Sequence, residues 1–320
     1  MTINKALQIG MGTAAIGRPE YINIRQGNKP PFTIESFRAS GLEMLDEAYH
    51  QGIRYFDTAP GYGMAEQLLL DWITERAYSD VEVATKWGYT YVANFDPQAT
   101  VHEVKEHSLK KLNAQWAQSQ KLRPSLSTYQ IHSATFESGI LQNTAALNRL
   151  GELKQEFGLR IGITTTGANQ EEVLKTAMNI AYEKELLFDV YQVTYNVLDQ
   201  SLAEVVQQLN SQNKRVVIKE AMANGRVFSN ANFPHYENLY HLMPQLAEKY
   251  SVGIDAIAIR FCLDSIHPFM VLSGASQKHH MIANLQASNF QLTLEELDQL
   301  RNLSVSPSSY WQERQTLGWN

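Results

Sequence analysis

Four polar side chains stand at or just beyond the ends of short apolar runs, and as a set they can move a proton. Asp57 closes IRYFD, Tyr62 follows in the turn TAPGY, Lys86 closes VEVATK and His132 closes TYQIH. A phenol is a poor acid at neutral pH, with a reference pKa of about 10, but an ammonium beside it stabilises the phenolate and eases proton donation. Lys86 can supply that charge, and Asp57 is the carboxylate that would keep a buried lysine protonated. His132 could orient a carbonyl oxygen or share in relaying the proton. The set suits protonation of an oxygen that becomes an alcohol. Each member also has a plainer reading. An Asp after a strand often caps the next helix, a Tyr in a PGYG turn can simply pack, a strand-end Lys is usually solvated and a lone His is usually structural. Joint placement at one end of a sheet is what makes them a candidate site.

That placement follows from the elements around them. Short β-branched runs occur at Ile9–Thr13, 53–57, 81–86, 128–132, 160–164, 189–195, 215–219 and 270–274. Between them, helical periodicity predicts helices near 35–51, 64–77, 99–114, 137–157, 170–186, 198–212 and 277–287. Near-continuous apolar strands alternating with amphipathic helices imply parallel β-α units, because a parallel strand needs a crossover and is buried on both faces. Eight such units favour a closed (β/α)8 TIM barrel, an α/β fold, here read as a single domain over 1–320 with mouth loops and a C-terminal tail. In such a barrel the strand C-termini converge on one mouth, where Asp57, Tyr62, Lys86 and His132 would meet. Gly10, Gly12 and Gly17 in GMGTAAIG lack the spacing of a dinucleotide fingerprint and are read as glycines of a tight turn. The segments 18–32, 224–238 and 304–320 are read as elaborations, and 18–32 as a loop near the mouth.

Composition narrows the classes of function. The 320 residues carry 27 basic and 33 acidic side chains, a net charge of −6, which argues against a protein that coats nucleic acid or anionic membrane. With 44% hydrophobic and 19% charged residues the chain can bury a large core. Cys262 is the single cysteine, the start MTINKALQIGMG lacks a secretory pattern, and no run approaches the about 20 apolar residues of a membrane span. A cytoplasmic, monomeric protein without nucleic-acid or membrane partners is the expectation. Cys262 lies in the apolar run AIAIRFCLD and is read as buried and inert. His279 and His280 are adjacent at the start of a helix and project about 100° apart, so they are not read as a metal pair.

The sequence resembles the aldo-keto reductase superfamily over about residues 7 to 303. GIRYFDTAPGYGMAEQLL (52–69) is similar to the family's first signature, ATKWG (84–88) to its lysine strand and YQIHS (129–133) to its histidine strand. RIGITTTG, YQVTYN and VLSGASQKHHMIANLQA continue the similarity. The resemblance implies an NADPH-dependent oxidoreductase that reduces an aldehyde or ketone, with NADH left open. Tyr62 would be the general acid, Lys86 and Asp57 its tuning pair, and His132 the orienting group. Gln192 and Thr164 or Thr165 would hold the nicotinamide carboxamide. Ser273, Gly274, Ala275, Ser276 and Asn284 would line the pyrophosphate and adenosine end, with His280 and Lys278 near the 2′-phosphate. Where many members place an aromatic residue on the nicotinamide, this chain has Lys219 or Glu220. Lys219 is taken with the cofactor residues, in contact with phosphate or with an anionic group of the substrate. Two other readings compete: a cofactor-binding regulatory protein with little catalysis, and a barrel hydrolase or isomerase working through Asp57 and His132 without nicotinamide.

Overall fold

The computed structural model describes residues 7–20, 23–24, 32–96 and 98–319. Eight parallel strands pair in chain order: β1 (Ile9–Gly12), β2 (Tyr55–Asp57), β3 (Glu82–Trp87), β4 (Leu126–Ala134), β5 (Arg160–Thr165), β6 (Val190–Thr194), β7 (Arg215–Lys219) and β8 (Met270–Ser273). The eighth pairs with the first, Ile9 beside Val271, and closes the barrel. Helices α1 (Ile34–His50), α2 (Ala65–Arg76), α3 (Leu109–Ser119), α4 (Thr144–Phe157), α5 (Gln170–Ala177) and α6 (Ala203–Ser211) follow the first six strands. After β7 come α7 (Glu237–Tyr250) and α8 (Ile254–Ile266); after β8 come α9 (Lys278–Leu285), α10 (Leu294–Arg301) and α11 (Pro307–Thr316). The expected (β/α)8 barrel is the observed architecture.

The strand period of two decides what faces the mouth. Tyr55, Ala84, Val190, Val217 and Met270 form an apolar cluster separate from the main core. They come from five different strands, so they can touch only inside the barrel. Side chains alternate along a strand, so the residue two positions on points the same way. Two residues toward the C-terminal end stand Asp57, Lys86, Gln192 and Lys219, a polar layer directly above an apolar plug. The middle layer of the barrel is therefore apolar and its mouth is charged.

Several expectations need correction. Gly10 and Gly12 lie inside β1, not in a turn. A Cβ at Gly10 would stand 2.9 Å from the Tyr55 ring and 3.1 Å from Met270 Cγ, so its missing side chain makes room for the plug. The helix foreseen over 99–114 starts at Leu109, where Ser108 caps it by accepting from Lys111 N–H at 3.1 Å. The residues before that cap pair as a hairpin, Glu103–Lys105 against Tyr89–Tyr91. The helix foreseen over 170–186 ends at Ala177, and Ala181–Tyr182 turns back on Glu185–Leu186 through Glu183 and Lys184, both at positive φ. Much of the 18–32 loop lies outside the described residues.

Cys262 is buried in α8, its Sγ donates to the Tyr195 carbonyl at 3.3 Å, and burial pushes the thiol up. Among the described residues no helix is long and apolar enough to cross a membrane, and no three His, Cys, Asp or Glu gather as metal ligands.

Candidate active site

Two opposite charges lie beneath the mouth. Lys86 Nζ pairs with Asp57 Oδ1 and donates to the Thr58 carbonyl at 3.1 Å. Lys86 is fully buried and Asp57 is 2% exposed. Such a pair is tolerable only when its remaining hydrogen-bonding capacity is met. Asp57 Oδ2 meets it by accepting from Gln192 Nε2 at 2.7 Å and Gln130 Nε2 at 3.2 Å. One Gln192 N–H is thus committed to Asp57, leaving the other and the oxygen for a ligand. Gln130 was not foreseen; its place one strand position from Lys86, opposite it in the β3–β4 register, was the available signal.

Tyr62 lies over this pair, with Lys86 Nζ 4.8 Å from its ring centroid. Its hydroxyl is 3.4 Å from His132 Nε2, and the two rings meet edge to face. Burial first, and the Asp57 charge second, push the Tyr62 phenol well above its usual range, while Arg18 opposes them. Burial, then Lys86, Arg18 and Lys219, push the His132 imidazole well below its own. At neutral pH the site therefore holds a protonated phenol and a neutral imidazole. The His132 backbone is itself fixed: its carbonyl accepts from His107 Nε2 at 2.9 Å, and the Ser133 N–H donates to Thr164 Oγ1 at 2.6 Å. Burial holds His107 at about 4, so it is neutral and donates from Nε2.

The loop carrying Tyr62 rests on Gly17. A Cβ there would stand 2.2 Å from the Tyr62 carbonyl oxygen and 2.3 Å from Ala65 Cβ. Gly17→Ala is expected to displace Tyr62 and cut turnover at least about tenfold, since a misplacement of about 1 Å can cost a hundredfold. Wild-type turnover in the purified variant would show that the close approach is dispensable.

Arg18, the next residue, is a site neighbour missed at the level of sequence because it opens a turn-rich segment. Its NH1 donates to the Gly61 carbonyl at 3.0 Å and pairs with Glu103 at 2.6 Å. Its guanidinium carbon lies 5.3 Å from the Tyr62 ring centroid and 4.8 Å from that of Trp319.

The opposite rim is built by β7 and the tail. Arg314 in α11 holds Glu220 with Nε at 3.0 Å and NH2 at 2.6 Å. Tyr310 and Trp311 are buried: Asn196 donates to the Tyr310 hydroxyl at 3.0 Å, and Trp311 Nε1 donates to Asp199 at 3.1 Å. Trp319 instead stacks on His102 across the mouth. The tail therefore spans the rim from β7 to Arg18.

A model of the aldo/keto reductase family matches residues 8–305, a span that contains all eight strands and the cluster at their ends. The chain belongs to the aldo/keto reductase family. An uncharacterised oxidoreductase of Bacillus subtilis, YqkF, is 26% identical over 82% of this chain and 86% of its own. The NADH-specific methylglyoxal reductase of Escherichia coli is 23% identical over 89% of this chain and 91% of its own. Among solved structures, a glycerol dehydrogenase of Gluconobacter oxydans superposes with a TM-score of 0.71 at 20% identity, covering 94% of this chain and 92% of its own. That last likeness is one of fold.

In this aldo/keto reductase the segment after β8 is tied down from within. With its amide turned to satisfy both neighbours, Asn284 accepts from Ser273 Oγ at 2.7 Å and donates to Asp255 Oδ2 at 2.7 Å and to the His280 carbonyl at 3.1 Å. Asn284 and Ser273 are buried, so both support the segment's backbone. Gly274, Ser276, Lys278 and His280 are exposed and Ala275 is buried. Lys278 lies 3.8 Å from Glu43. Helix α9 starts without a side-chain cap and without an acid in its first turn, which leaves its first N–H groups to a ligand. In β5, Thr165 Oγ1 is buried with no hydrogen-bond partner among the described residues.

Proposed function

We propose that this protein reduces an aldehyde or ketone to an alcohol with a nicotinamide cofactor, Tyr62 giving its proton to the carbonyl oxygen. The carrying observation is the Tyr62 hydroxyl 3.4 Å from a neutral His132, above the buried Lys86–Asp57 pair. A substrate oxygen that accepts from Tyr62 and His132 together is oriented before the proton moves. The phenolate left behind lies between the Lys86 and Arg18 charges.

The residues present fit the cofactor. The orphan Thr165 hydroxyl, the Thr164 hydroxyl and the free Gln192 groups suit a carboxamide. The uncapped start of α9, with Gly274, Ala275, Ser276, Lys278 and His280, suits phosphate oxygens, Ser273 and Asn284 acting as its supports. Bound there, the nicotinamide would supply the hydride. Of the two cofactors, NADPH gains from Lys278 and His280, whereas the Asp255 carboxylate beside Asn284 and His280 favours an unphosphorylated ribose. A monomer in the cytoplasm remains the proposed setting.

The test is oxidation of NADPH and of NADH with a reactive aromatic aldehyde and a 1,2-dicarbonyl, wild type beside Tyr62→Phe. Loss of about a hundredfold or more of turnover, with cofactor affinity kept, is the expected result. Equal turnover in the two proteins would remove Tyr62 from the chemistry. Binding of either cofactor without any turnover would favour the regulatory reading, which the lack of an aromatic side chain at the end of β7 also supports.

A further inference from the structure

Of the four cations Arg18, Lys86, Lys219 and Arg314 described at the mouth, three are paired. Arg18 faces Glu103, Lys86 faces Asp57 and Arg314 faces Glu220. Lys219 is the exception: among the described residues no carboxylate lies within ion-pair distance of its Nζ. Its Nζ donates to Thr194 Oγ1 at 2.7 Å and lies 5.9 Å from the Trp311 ring centroid. The adjacent Glu220 is turned to Arg314, its backbone at φ +57, and also accepts from the Thr194 hydroxyl at 3.3 Å. An ammonium has three N–H groups, so two are left for a ligand.

We infer that Lys219 binds an anionic oxygen group, a carboxylate or phosphate, carried by the carbonyl substrate. This rests on the reductase reading of Tyr62. Lys219 belongs to the same inward-facing layer as Asp57 and Lys86, on the strand opposite β3 in an eight-stranded ring. Lys219 and the Tyr62–His132 pair open onto the same barrel mouth, so an anion held by Lys219 can be carried by the molecule whose carbonyl meets Tyr62 and His132. Burial pushes the Lys219 ammonium down; Glu220 resists this, and Arg314 and Lys86 add to it. A partly buried cation repelled by two others gains from an incoming anion, and a charge-assisted hydrogen bond is stronger than a neutral one. The substrate class is a short oxo acid or a phosphorylated aldehyde or ketone. The pyrophosphate of the cofactor is the other source of the same chemistry.

One pair of substrates separates these cases: 4-formylbenzoate and its methyl ester, which differ in charge at a fixed distance from the same aldehyde. The ratio of their kcat/KM values is read in wild type, Lys219→Met and Lys219→Arg. The ratio of acid to ester is expected to fall about tenfold to a hundredfold in Lys219→Met and to stay near wild type in Lys219→Arg. Calorimetric titration of the cofactor-loaded protein with 4-(hydroxymethyl)benzoate reads the contact without turnover and is expected to weaken at least about tenfold in the Met variant. Turnover of the ester by wild type tests the reductase reading separately. NADH titration by tryptophan quenching covers the other source. A tenfold loss of NADH affinity with an unchanged substrate ratio would assign the anion to the cofactor and overturn the substrate inference. No change in either would overturn the anion site itself.

Discussion

Lys86→Met is expected to abolish measurable turnover and to cost about 3–5 kcal/mol of stability, the usual effect of removing one partner from a buried ion pair. The variant leaves the Asp57 carboxylate 2% exposed, with only the Gln192 and Gln130 amides to hold its charge. Neither amide neutralises it, and methionine of similar length fills the space without replacing the bond to the Thr58 carbonyl. The same change removes the ammonium 4.8 Å from the Tyr62 ring and leaves Arg18 alone to oppose the Asp57 charge at the phenolate. Urea unfolding and cofactor oxidation, measured on one preparation, check both halves. A midpoint shift corresponding to less than about 1 kcal/mol would mean that Asp57 finds water or a proton in the variant, and that the pair contributes far less than a buried pair usually does.

Arg314→Met should destabilise the protein by about 2–3 kcal/mol and flatten its response to acid. Burial pushes the Glu220 carboxyl up, but Lys219 and Arg314 outweigh it and hold it down at about 2. Because this folded value lies below the ordinary carboxylate value of 4.5, the contribution of Glu220 is fully present above about pH 4.5 and is lost as pH falls toward 2. A shift of that size corresponds to stability on the order of 3 kcal/mol, and Arg314 supplies a large share of it through charge and three hydrogen bonds. The variant also unpins α11, whose Tyr310 and Trp311 are buried at the mouth. Urea midpoints taken from about pH 6 to pH 3 should fall less steeply in the variant than in wild type. Parallel curves would place the acid sensitivity elsewhere, with Glu296, which burial pushes up but its bond to Lys249 holds down at about 2, as the next group to test.

The two substitutions probe opposite sides of one mouth, and they differ in how far the sequence exposed them. Lys86 and Asp57 each close a short apolar run, so the strand pattern alone placed both at a barrel mouth. The Glu220–Arg314 pair joins residues 94 positions apart. No periodicity links them, because α11 reaches β7 by crossing the rim and not by any repeat of the β-α unit.

Strand number, strand order and the family were legible because a parallel strand must be apolar over its length and must alternate with a helix. Asp57, Tyr62, Lys86 and His132 were legible because the C-terminal strand ends of such a barrel converge. Element boundaries were less so. Hairpins such as Tyr89–Tyr91 with Glu103–Lys105 compete with helix over the same residues, and pairing partners outside the local window decide the outcome. Gly10 read as a turn residue because local sequence records only its flexibility, whereas its purpose is the space taken by Tyr55 from the neighbouring strand.

By itself, then, the sequence determined the barrel, the family and four residues at one end of it, since all of these depend on local pattern and a fixed strand period. The tertiary structure alone decided which charges are paired. It set Arg18 between Tyr62 and Trp319, bound Gln192 and Gln130 to Asp57, turned Glu220 toward Arg314 and left Lys219 with the Thr194 hydroxyl. Those contacts join distant segments through side chains a few ångströms apart, and at that range chain folding, not spacing along the sequence, sets the energy.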